Sequence, residues 1–418
     1  MIKVGSDFSG VGAFNQALIR LNIKYDEVFA CDMDKYARET FIHNYGEPKY
    51  YPKNVYEREI PKESLDIYMT SPPCQAFSLA GKRLGKEDKR GVLFFNSHEF
   101  IKTNKPRYFI FENVKGLLSD DNGNTFKEWV NMLGGKSVNG LPVLFPYEDS
   151  VPYHIYYKVM NAKKHGVPQN RERVFIIGVR DDQDNTFRWA KEQHLTKRLK
   201  DVLQNEVNEK YFLSSKMIKY FSDNQKGKGN GRASDFLSGD ENNTSCLLSS
   251  YYKQPKDGIY LKVKSATKKG YEEATEGDSI NFSVPNSETR RGRVGKGVAQ
   301  TLDTQCKQAI LAKYPKLQKG TGNVLFHRKG FATNTQVYDV NKECGTIDTA
   351  QGGGRQPHTL IEKNIRRLTP RECFRLMDFP DTFTWTCSDS QAYKQAGNSI
   401  VVKCLELIIQ RLNLNEKV

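Results

Sequence analysis

Apolar runs separated by polar loops divide the first 180 residues into alternating strands and helices. Helices are predicted up to about Leu21 and over about 92–103. Buried strands are predicted at four short apolar runs, residues 2–4, 28–31, 65–69 and 107–111. Because the two kinds of element alternate, we predict an α/β fold with a doubly wound, mostly parallel sheet.

Later parts of the chain predict a hairpin added to this sheet, a second domain of different composition, and helices at the C-terminal end. The apolar runs 155–160 and 174–179 predict an antiparallel hairpin at the sheet edge. The segment 181–364 is polar and glycine-rich, which predicts a second, smaller, irregular β-rich domain. In 365–418, Thr369 and Pro370 predict a helix start near Arg371, and AGNSIVVKCLELIIQRL predicts a final apolar helix. We expect this last segment to pack back on a first domain at 1–180.

The polar middle contains a loose repeat. The pieces CLLS, TLDT and TIDT each precede a polar loop and then an apolar pair. Such a pattern predicts three related hairpins with different polar tips. Hairpins with similar strands and different tips suit a surface that recognises a binding partner through the side chains of the tips.

Composition indicates a polar protein with a polyanionic partner. The chain has 418 residues, enough for two lobes, with 38% hydrophobic residues and a mean hydropathy of -0.66. No apolar run approaches the roughly 18 residues that span a bilayer, and the chain begins directly with a strand pattern, so we expect a cytoplasmic protein. The 64 Lys and Arg against 49 Asp and Glu give a net charge of +15, which favours a polyanionic binding partner. The eight cysteines form no CxxC pair and no Cys/His cluster, so no metal is expected.

Cys74 is the candidate nucleophile. It lies in TSPPCQAFS after the predicted strand 65–69, where two prolines stop a strand or helix from continuing. Open α/β sheets place their chemistry at the carboxyl ends of parallel strands. The alternative is a buried structural thiol, since free cysteines are often buried, but the polar and basic loop that follows disfavours it.

The turn DFSGVGAF is typical of a nucleotide-binding turn, although the third glycine of the dinucleotide motif is missing. The second predicted strand leads to Asp32, about twenty residues further on, where an acid suits the hydroxyls of a ribose. Either Asp32 or Asp34 is equally compatible with an ordinary helix N-cap.

Eight short blocks together carry a family resemblance. In chain order they are FSGVGAF, CDMDKYA, SPPCQAFS, DKRGVLFF, ENV, QNRER, LTPRE and QAGNS. Their order and spacing resemble the conserved blocks of the cytosine-5 DNA methyltransferases of bacteria and phages. The match covers residues 1–180 and 365–418, and the middle corresponds to the target recognition domain of that family. The resemblance implies a Rossmann-like methyltransferase fold, S-adenosylmethionine as cofactor, duplex DNA as partner and a monomer. It is also compatible with a cognate restriction endonuclease that acts separately.

The chemistry of cytosine methylation suits the residues in these blocks. Carbon 5 of cytosine is a poor nucleophile until a thiolate adds to carbon 6, and Cys74 would supply that thiolate. The addition puts negative charge on ring nitrogen 3 and on the carbonyl oxygen. A protonated Glu112 and the cation of Arg173 are expected to stabilise these charges, with Arg171 nearer the phosphates or the mobile loop. The alternatives are a helix cap for Glu112 and surface ion pairs for the arginines.

The resemblance also assigns cofactor contacts. Phe8 and Met33 are expected at the adenine, Asp32 at the ribose, and Asn54 at the adenine amino group; the further contacts expected are Gly10, Val11, Gly12, Pro73, Leu93, Asn398 and Ser399. Met33 stands where the family commonly has tryptophan, and Asn54 where it commonly has aspartate. A thioether still covers a ring and an amide oxygen still accepts a hydrogen bond, so we expect weaker or altered cofactor binding and not its loss.

DNA contacts follow from the need to flip the target cytosine out of the duplex. The loop 80–91, with glycines for hinging and basic residues for phosphates, resembles the mobile loop that closes over the flipped base. The expected DNA-binding residues are Gln75, Ser78, Lys82, Arg83 and Gln169. The repeat tips add candidate base-reading side chains, which are Gln254, Gln305, Gln308, Arg355 and Gln356.

Three alternative functions share part of this sequence pattern, and each is disfavoured by one feature of the chain. An RNA methyltransferase that acts on tRNA would share the same blocks, but the long polar middle favours duplex DNA. A catalytically silent DNA-binding homologue would not need Cys74, Glu112 and QNRER together. A nicotinamide-dependent dehydrogenase would need the third glycine and has no use for SPPCQ.

Overall fold

The chain forms two compact units. The computed structural model describes residues 1–73, 92–197, 199–211, 261–275, 277–283, 287, 289–304, 308–313, 324–327, 336–339, 358–360 and 363–414. The first unit comprises Met1–Arg198, Thr301–Cys306 and Pro370–Val418, and the second comprises Leu199–Gln300 and Lys307–Thr369. The sequence had suggested boundaries at 180 and 364. It gave no sign that the short segment Thr301–Cys306 belongs with the first unit.

The first unit is built on an eight-stranded sheet. The described strands of this unit are β1 (Ile2–Asp7), β2 (Tyr25–Cys31), β3 (Ile67–Thr70), β4 (Tyr108–Val114), β5 (Ser137–Val138), β6 (Leu141–Pro142), β7 (Tyr153–Asn161), β8 (Gln169–Asn170) and β9 (Glu172–Arg180). All of them except β8 belong to the eight-stranded sheet. The sheet order is β2-β1-β3-β4-β9-β7-β5-β6. Neighbours among β1 to β4 are parallel, whereas β9 is antiparallel to both β4 and β7. The predicted mostly parallel sheet and the predicted late hairpin are both confirmed.

Seven α-helices in the described part of the chain accompany this sheet. They are α1 (Ala13–Arg20), α2 (Lys35–Tyr45), α3 (Val92–Asn104), α4 (Asn124–Leu133), α5 (Pro370–Leu376), α6 (Asp389–Asn398) and α7 (Val402–Ile409). The prediction of one continuous apolar helix from AGNSIVVKCLELIIQRL is wrong, because Ser399 has the extended backbone angles φ -70° and ψ 163°. The break separates α6 from α7. None of the helices in the described residues is both long and apolar enough to cross a bilayer.

Aromatic side chains form the core around the central strands. All four residues of β3 are buried, and the Tyr68 ring stacks on Phe100 of α3 with centroids 4.0 Å apart. Phe109 of β4 packs so closely over Gly178 of β9 that an added Cβ at Gly178 would lie 1.9 Å from its ring. Each fully buried aromatic of this kind contributes about 1.5–3 kcal/mol through burial. The core therefore fixes β3, β4 and β9 relative to one another.

The second unit contains short strands in small sheets. Its described strands are β10 (Leu261–Lys264), β11 (Tyr271–Ala274), β12 (Ser279–Asn281), β13 (Val294–Gly295), β14 (Ala299–Gln300), β15 (Gln308–Lys313), β16 (Val324–His327), β17 (Gln336–Asp339), β18 (His358–Leu360) and β19 (Lys363–Arg367). They include the sheets β10-β11, β13-β12-β15-β19 and β16-β17-β18. This irregular β-rich character agrees with the prediction.

The repeated hairpins are not found where the structure tests them. TLDT at 301–304 is not a strand, and β15, which contains the apolar pair 310–311, pairs instead with β12 and β19. Short polar motifs with one apolar pair carry too little periodicity to define a strand partner. The pieces at 246–249 and 346–349 lie outside the described residues.

A half-buried acid in β2, Glu27, gives the fold a pH dependence. Asn15 of α1 donates a hydrogen bond to Glu27, and burial raises the pKa of Glu27 from 4.5 to about 8. Between pH 4.5 and 8 the folded protein therefore keeps a proton that the unfolded chain has released. The contribution to stability is fully present below pH 4.5 and is lost as the pH rises through 8.

We expect Glu27→Gln to become more stable relative to the unsubstituted protein as the pH rises from 5 to 9, because glutamine has no proton to lose. Thermal unfolding midpoints of both proteins across this range measure the difference. Glu47→Gln, at an exposed acid, is the matched control and should show no such trend. A difference between Glu27→Gln and the parent that does not change with pH would contradict the assignment.

Candidate active site

Three loops meet at the carboxyl edge of the parallel strands. The loop after β1 is tied to the end of β2 by the Ser9 N–H, which donates to the Cys31 carbonyl at 3.0 Å. The Ser71 hydroxyl, after β3, donates to the Phe8 carbonyl at 3.4 Å. These bonds hold the candidate residues of three separate blocks at one edge of the sheet, as expected for an open α/β sheet.

Two glycines give the loop after β1 its shape. Gly10 and Gly12 have φ values of +54° and +81°, a region that favours glycine. An added Cβ at Gly12 would lie 2.2 Å from the Tyr45 ring, whereas no atom lies within 4 Å of a Cβ built on Gly10. Gly12 is therefore needed for packing, while Gly10 faces open space. Val11 between them is buried, so its side chain is not available to a ligand.

Asp32 is oriented by backbone hydrogen bonds to both of its carboxylate oxygens. The N–H groups of Gly10 and Asp34 each donate to it at 2.8 Å. Burial raises the pKa of Asp32, and these two hydrogen bonds oppose that shift. Asp34 is the residue that caps α2, since its side chain accepts from Tyr36 and Ala37. The two acids that the sequence left undecided thus have different tasks.

Asp34 also contacts the C-terminal part of the first unit. Lys394 of α6 lies 2.5 Å from its carboxylate, and a buried hydrogen bond of 3.2 Å joins Thr40 of α2 to Gln395 of α6. Asn398, at the end of α6, is exposed, while Ser399 is buried and donates its hydroxyl hydrogen to the Ile400 carbonyl. The last block is therefore held next to the block that contains Asp32.

The remaining cofactor candidates differ in how accessible they are. Phe8 and Leu93 are half-buried and pack against the same aromatic core, whereas Pro73 is exposed. Met33 is 86% exposed. Asn54 accepts from the Tyr56 N–H at 3.1 Å, so its amide caps a local turn and keeps one further lone pair on the oxygen.

An ion pair that sequence reasoning missed lies at the end of β1. Asp7 is 1% exposed; it accepts from Arg58 Nε at 3.0 Å and from the Tyr68 hydroxyl at 2.6 Å. Burial raises the pKa of Asp7, and the positive charge of Arg58 opposes this. Breaking such a pair from one side costs about 3–5 kcal/mol. The one signal in the sequence was an acid between the strand pattern at 2–4 and the glycine turn.

Glu112 and Arg173, two of the candidate catalytic residues, form an ion pair. Glu112 lies inside β4, which extends to Val114, and β9 places Arg173 opposite Val114. Arg173 Nε lies 3.2 Å from a Glu112 carboxylate oxygen. Burial raises the pKa of Glu112, and the charges of Arg173 and then Arg171 oppose the shift. The expectation that these residues lie together is met, and Glu112 is not a helix cap.

The same end of β4 is tied to the prolines that precede the candidate nucleophile. The Asn113 side chain is 2% exposed and donates to the Pro72 carbonyl at 3.2 Å. Cys74 itself lies outside the described residues, as do four of the predicted DNA contacts, which are Gln75, Ser78, Lys82 and Arg83.

The expected DNA contact at Gln169 is wrong. Its side chain is 0% exposed; it donates to the Leu376 carbonyl at 2.7 Å and accepts from the Leu302 N–H at 3.3 Å. A buried amide with donor and acceptor both engaged is structural. Because QNRER consists of polar residues, its sequence gave no sign that Gln169 is in the core.

Arg171 is also buried, which does not suit the expected contact with phosphates, and the loop 80–91, its other expected neighbour, lies outside the described residues. It is 3% exposed, and its guanidinium donates to the carbonyls of Leu302, Gly397 and Ser399 at 2.8–3.2 Å. Burial lowers the pKa of Arg171 to about 9, so it is still protonated at neutral pH. Arg171 therefore fastens the 301–306 segment to the end of α6 instead of binding a ligand.

One of the candidate base-reading side chains is corrected by the structure. Gln308 is 2% exposed within β15, and its amide exchanges two hydrogen bonds with the backbone of Gln300, at 2.9 and 3.0 Å. It is thus part of a sheet and not of a hairpin tip. The other candidates, Gln254, Gln305, Arg355 and Gln356, lie outside the described residues.

Comparison with solved structures supports the fold. The chain superimposes on a DNMT2 mutant from Spodoptera frugiperda with a TM-score of 0.56 and 17% identity, over 98% of this chain and 99% of that chain. It also superimposes on the Entamoeba histolytica methyltransferase EhMeth with a TM-score of 0.55 and 18% identity, over 98% of this chain and 97% of that chain. At these identities the likeness concerns the fold alone.

Comparison of sequences identifies the family. The chain is 31% identical to the orphan methyltransferase M.SPRI of Bacillus phage SPR, over 98% of this chain and 97% of the phage protein. It is 28% identical to the type II methyltransferase M.HhaI of Haemophilus parahaemolyticus, over 96% of this chain and 91% of that protein. The family profile described as C-5 cytosine-specific DNA methylase matches residues 2–413. The chain therefore belongs to the C-5 cytosine-specific DNA methylases.

Proposed function

We propose that the protein transfers a methyl group from S-adenosylmethionine to carbon 5 of a flipped cytosine within a short, specific sequence of duplex DNA. The observation that carries this proposal is the ion pair between the buried Glu112 and the half-buried Arg173, 3.2 Å apart. It lies on the strand whose Asn113 holds Pro72, two residues before Cys74. An acid, a cation and a thiol are the three groups that the addition to cytosine requires.

The residues at the carboxyl edge fit the methyl donor. Gly10 faces open space, which allows a ligand to approach the backbone closely. Asp32 has both oxygens oriented by N–H groups and keeps lone pairs for the ribose hydroxyls. Phe8, Met33, Pro73 and Leu93 would cover the adenine, and Asn54 would accept from its amino group. Bound here, the cofactor supplies an electrophilic methyl group.

Each protein group has a separate task in the reaction. The Cys74 thiolate forms a bond to carbon 6 of the cytosine, and the electron pair of the ring moves toward nitrogen 3. Glu112, whose pKa burial raises, shares its proton with that nitrogen. Arg173 holds Glu112 in place and provides a fixed cation for the carbonyl oxygen. Carbon 5, made nucleophilic by this addition, takes the methyl group. Loss of the carbon 5 proton to water then breaks the bond between carbon 6 and sulfur and releases the Cys74 thiolate.

Gln75, Ser78, Lys82 and Arg83 are proposed to contact DNA from the loop that closes over the flipped base. Recognition of the sequence is assigned to the second unit. The net charge of +15 suits a polyanion. We further propose that the protein acts as a monomer in the cytoplasm, and that any partner endonuclease acts separately.

The direct test uses tritiated S-adenosylmethionine and genomic DNA from a strain without cytosine methylation. The protein is expected to transfer tritium to this DNA and not to total tRNA. Cys74→Ser should lose transfer by at least about a thousandfold while still binding the duplex, because serine is a far weaker nucleophile for this addition. Label that enters tRNA alone would move the proposal to an RNA enzyme, and near-normal transfer by Cys74→Ser would refute the covalent mechanism.

Glu112→Gln separates chemistry from cofactor binding. We expect it to slow single-turnover methyl transfer by about a hundredfold or more, because glutamine cannot share a proton with nitrogen 3. The dissociation constant for S-adenosylmethionine, measured by calorimetry, should change little. Glu172→Gln is the matched control, since Glu172 lies in β9 and pairs on the outside with Lys115. If Glu112→Gln weakened only cofactor binding, the residue would have another role.

Lys394→Met tests whether the contact between α6 and Asp34 supports the cofactor site. Loss of this ion pair is expected to weaken S-adenosylmethionine binding about threefold to tenfold, because Asp34 donates its N–H to Asp32. The rate at saturating cofactor should stay near that of the parent. Lys49→Met, which breaks the ion pair with Asp26 at 2.7 Å, is the control. Equal effects of the two substitutions would show that Lys394 has no specific part in the site.

A further inference from the structure

A buried ion pair joins two of the segments that carry proposed cofactor contacts. Asp7 is the last residue of β1, and Phe8, expected at the adenine, follows it directly. Arg58 comes four positions after Asn54, which is expected at the adenine amino group. The Arg58 Nε atom donates to the Asp7 carboxylate at 3.0 Å, across 51 positions of the chain. The pair therefore connects the two segments that would contact the adenine.

Contacts from three further elements hold this pair in one geometry. The Tyr68 hydroxyl of β3 donates to the second Asp7 oxygen at 2.6 Å, so both oxygens of the carboxylate are engaged. The Arg58 guanidinium lies over the rings of Phe100 in α3 and Phe29 in β2, at 4.6 and 5.7 Å from their centroids. The side chains of the ion pair are 2% and 1% exposed. Together, Asp7, Arg58 and Tyr68 form a buried polar group that we call the Asp7 network.

Stability alone does not account for charges at this place in the core. Taking both ions out of water opposes much of their mutual attraction, and apolar side chains of similar volume are often as stable or more so. The ion pair adds direction, because a hydrogen bond holds its donor and acceptor at a preferred distance and angle. Val55, in the same segment as Arg58, is buried in the apolar core, but apolar burial is non-directional. The Asp7 network is thus suited to fix the position of the segments that it joins.

The turn that begins at Asn54 is shaped by hydrogen bonds of its own. The Asn54 side chain accepts from the Tyr56 N–H and donates to the Glu57 carboxylate, both at 3.1 Å. The Glu57 N–H donates to the Asn54 carbonyl, also at 3.1 Å. These bonds lie within the turn, so they do not fix its distance from β1. Arg58, the next residue, provides a directed contact with β1.

Phe8 has a backbone conformation that requires support from its neighbours. Its φ of +58° lies in the left-handed region, which is unusual for a bulky side chain. Residues in such conformations persist where the surrounding structure fixes them, and they cluster at active sites and ligand clamps. On the C-terminal side of Phe8, the Ser9 N–H donates to the Cys31 carbonyl at 3.0 Å. On its N-terminal side, the Asp7 network is a buried anchor.

We propose that the Asp7 network is a positioning element of the methyl-donor site. It holds Phe8 and the Asn54 turn at the separation that the adenine of S-adenosylmethionine needs, and it thereby sets the affinity for this cofactor. Asp7, Arg58 and Tyr68 act through these neighbours and are not catalytic residues. The inference rests on the proposed function, because it takes Phe8 and Asn54 as the adenine contacts.

Arg58→Met and Arg107→Met are a matched pair of variants. Each removes one partner of an ion pair in the first unit, since Arg107 lies 2.9 Å from Asp66, next to the amino end of β3. We expect Arg58→Met to raise the dissociation constant for S-adenosylmethionine, measured by calorimetry, at least about tenfold, because the site is no longer preorganised. Its methyl-transfer rate at saturating cofactor should stay near that of the parent. Arg107→Met should bind the cofactor as the parent does, and equal losses in the two variants would overturn the proposal.

An apolar replacement of the whole network separates positioning from stability. The triple variant Asp7→Val, Arg58→Met, Tyr68→Phe leaves no charge of the network unpaired, so its thermal unfolding midpoint should be close to that of the parent. The dissociation constant for S-adenosylmethionine should still be at least about tenfold higher. In the protein without cofactor, the Gly10 N–H donates to Asp32 at 2.8 Å. This N–H should exchange with deuterium faster in the triple variant, because the loop after β1 has lost an anchor.

The outcomes separate this inference from the proposed function. A triple variant that binds the cofactor and protects the Gly10 N–H as the parent does would overturn the positioning role and leave the methyl-transfer proposal in place. A parent protein that binds no S-adenosylmethionine would overturn both. If the triple variant failed to fold, the comparison of Arg58→Met with Arg107→Met would decide.

Discussion

The antiparallel pairing of β9 with β4 is the constraint on which the candidate active site depends. Seven consecutive residue pairs join the two strands, from Tyr108 opposite Val179 to Val114 opposite Arg173. The register brings the acid of one sequence block and the cation of another to within 3.2 Å. A shift by one residue would turn every side chain of β9 to the other face of the sheet. The core packing of Phe109 over Gly178 keeps that register.

A second set of constraints fastens distant parts of the first unit to this edge. Arg171 binds three backbone carbonyls from the 301–306 and 397–399 segments, and Gln169 binds the backbone at 302 and 376. At Gly397 an added Cβ would lie 2.5 Å from the Asp303 carbonyl oxygen. Polar residues of QNRER thus divide their tasks: Gln169 and Arg171 hold the chain together, while Arg173 faces Glu112.

Hydrophobic periodicity was sufficient to predict the parallel sheet, the late hairpin and the edge at which the candidate residues meet. Those features depend on local patterns, such as the wholly buried β3. The placement of polar residues was harder to predict, because Gln169, Arg171 and Gln308 look like surface groups until their buried partners are known. Each is satisfied by backbone atoms far away along the chain, and no local pattern encodes such partners.

The candidate cofactor residues show the same contrast between what local patterns predict and what depends on residues far apart along the chain. Gly10 and Asp32 were predicted from spacing, and the structure joins them by a hydrogen bond of 2.8 Å. The Asp7–Arg58 pair was missed because the two residues are 51 positions apart and Arg58 belongs to no motif.

The central claim is that the protein methylates cytosine in DNA at a specific sequence. Its most direct test is to express the protein in cells that lack cytosine methylation and to map 5-methylcytosine across their DNA by bisulfite sequencing. The account predicts modified cytosines confined to one short motif. An unmethylated genome, from cells in which the protein is folded and binds S-adenosylmethionine, would contradict it.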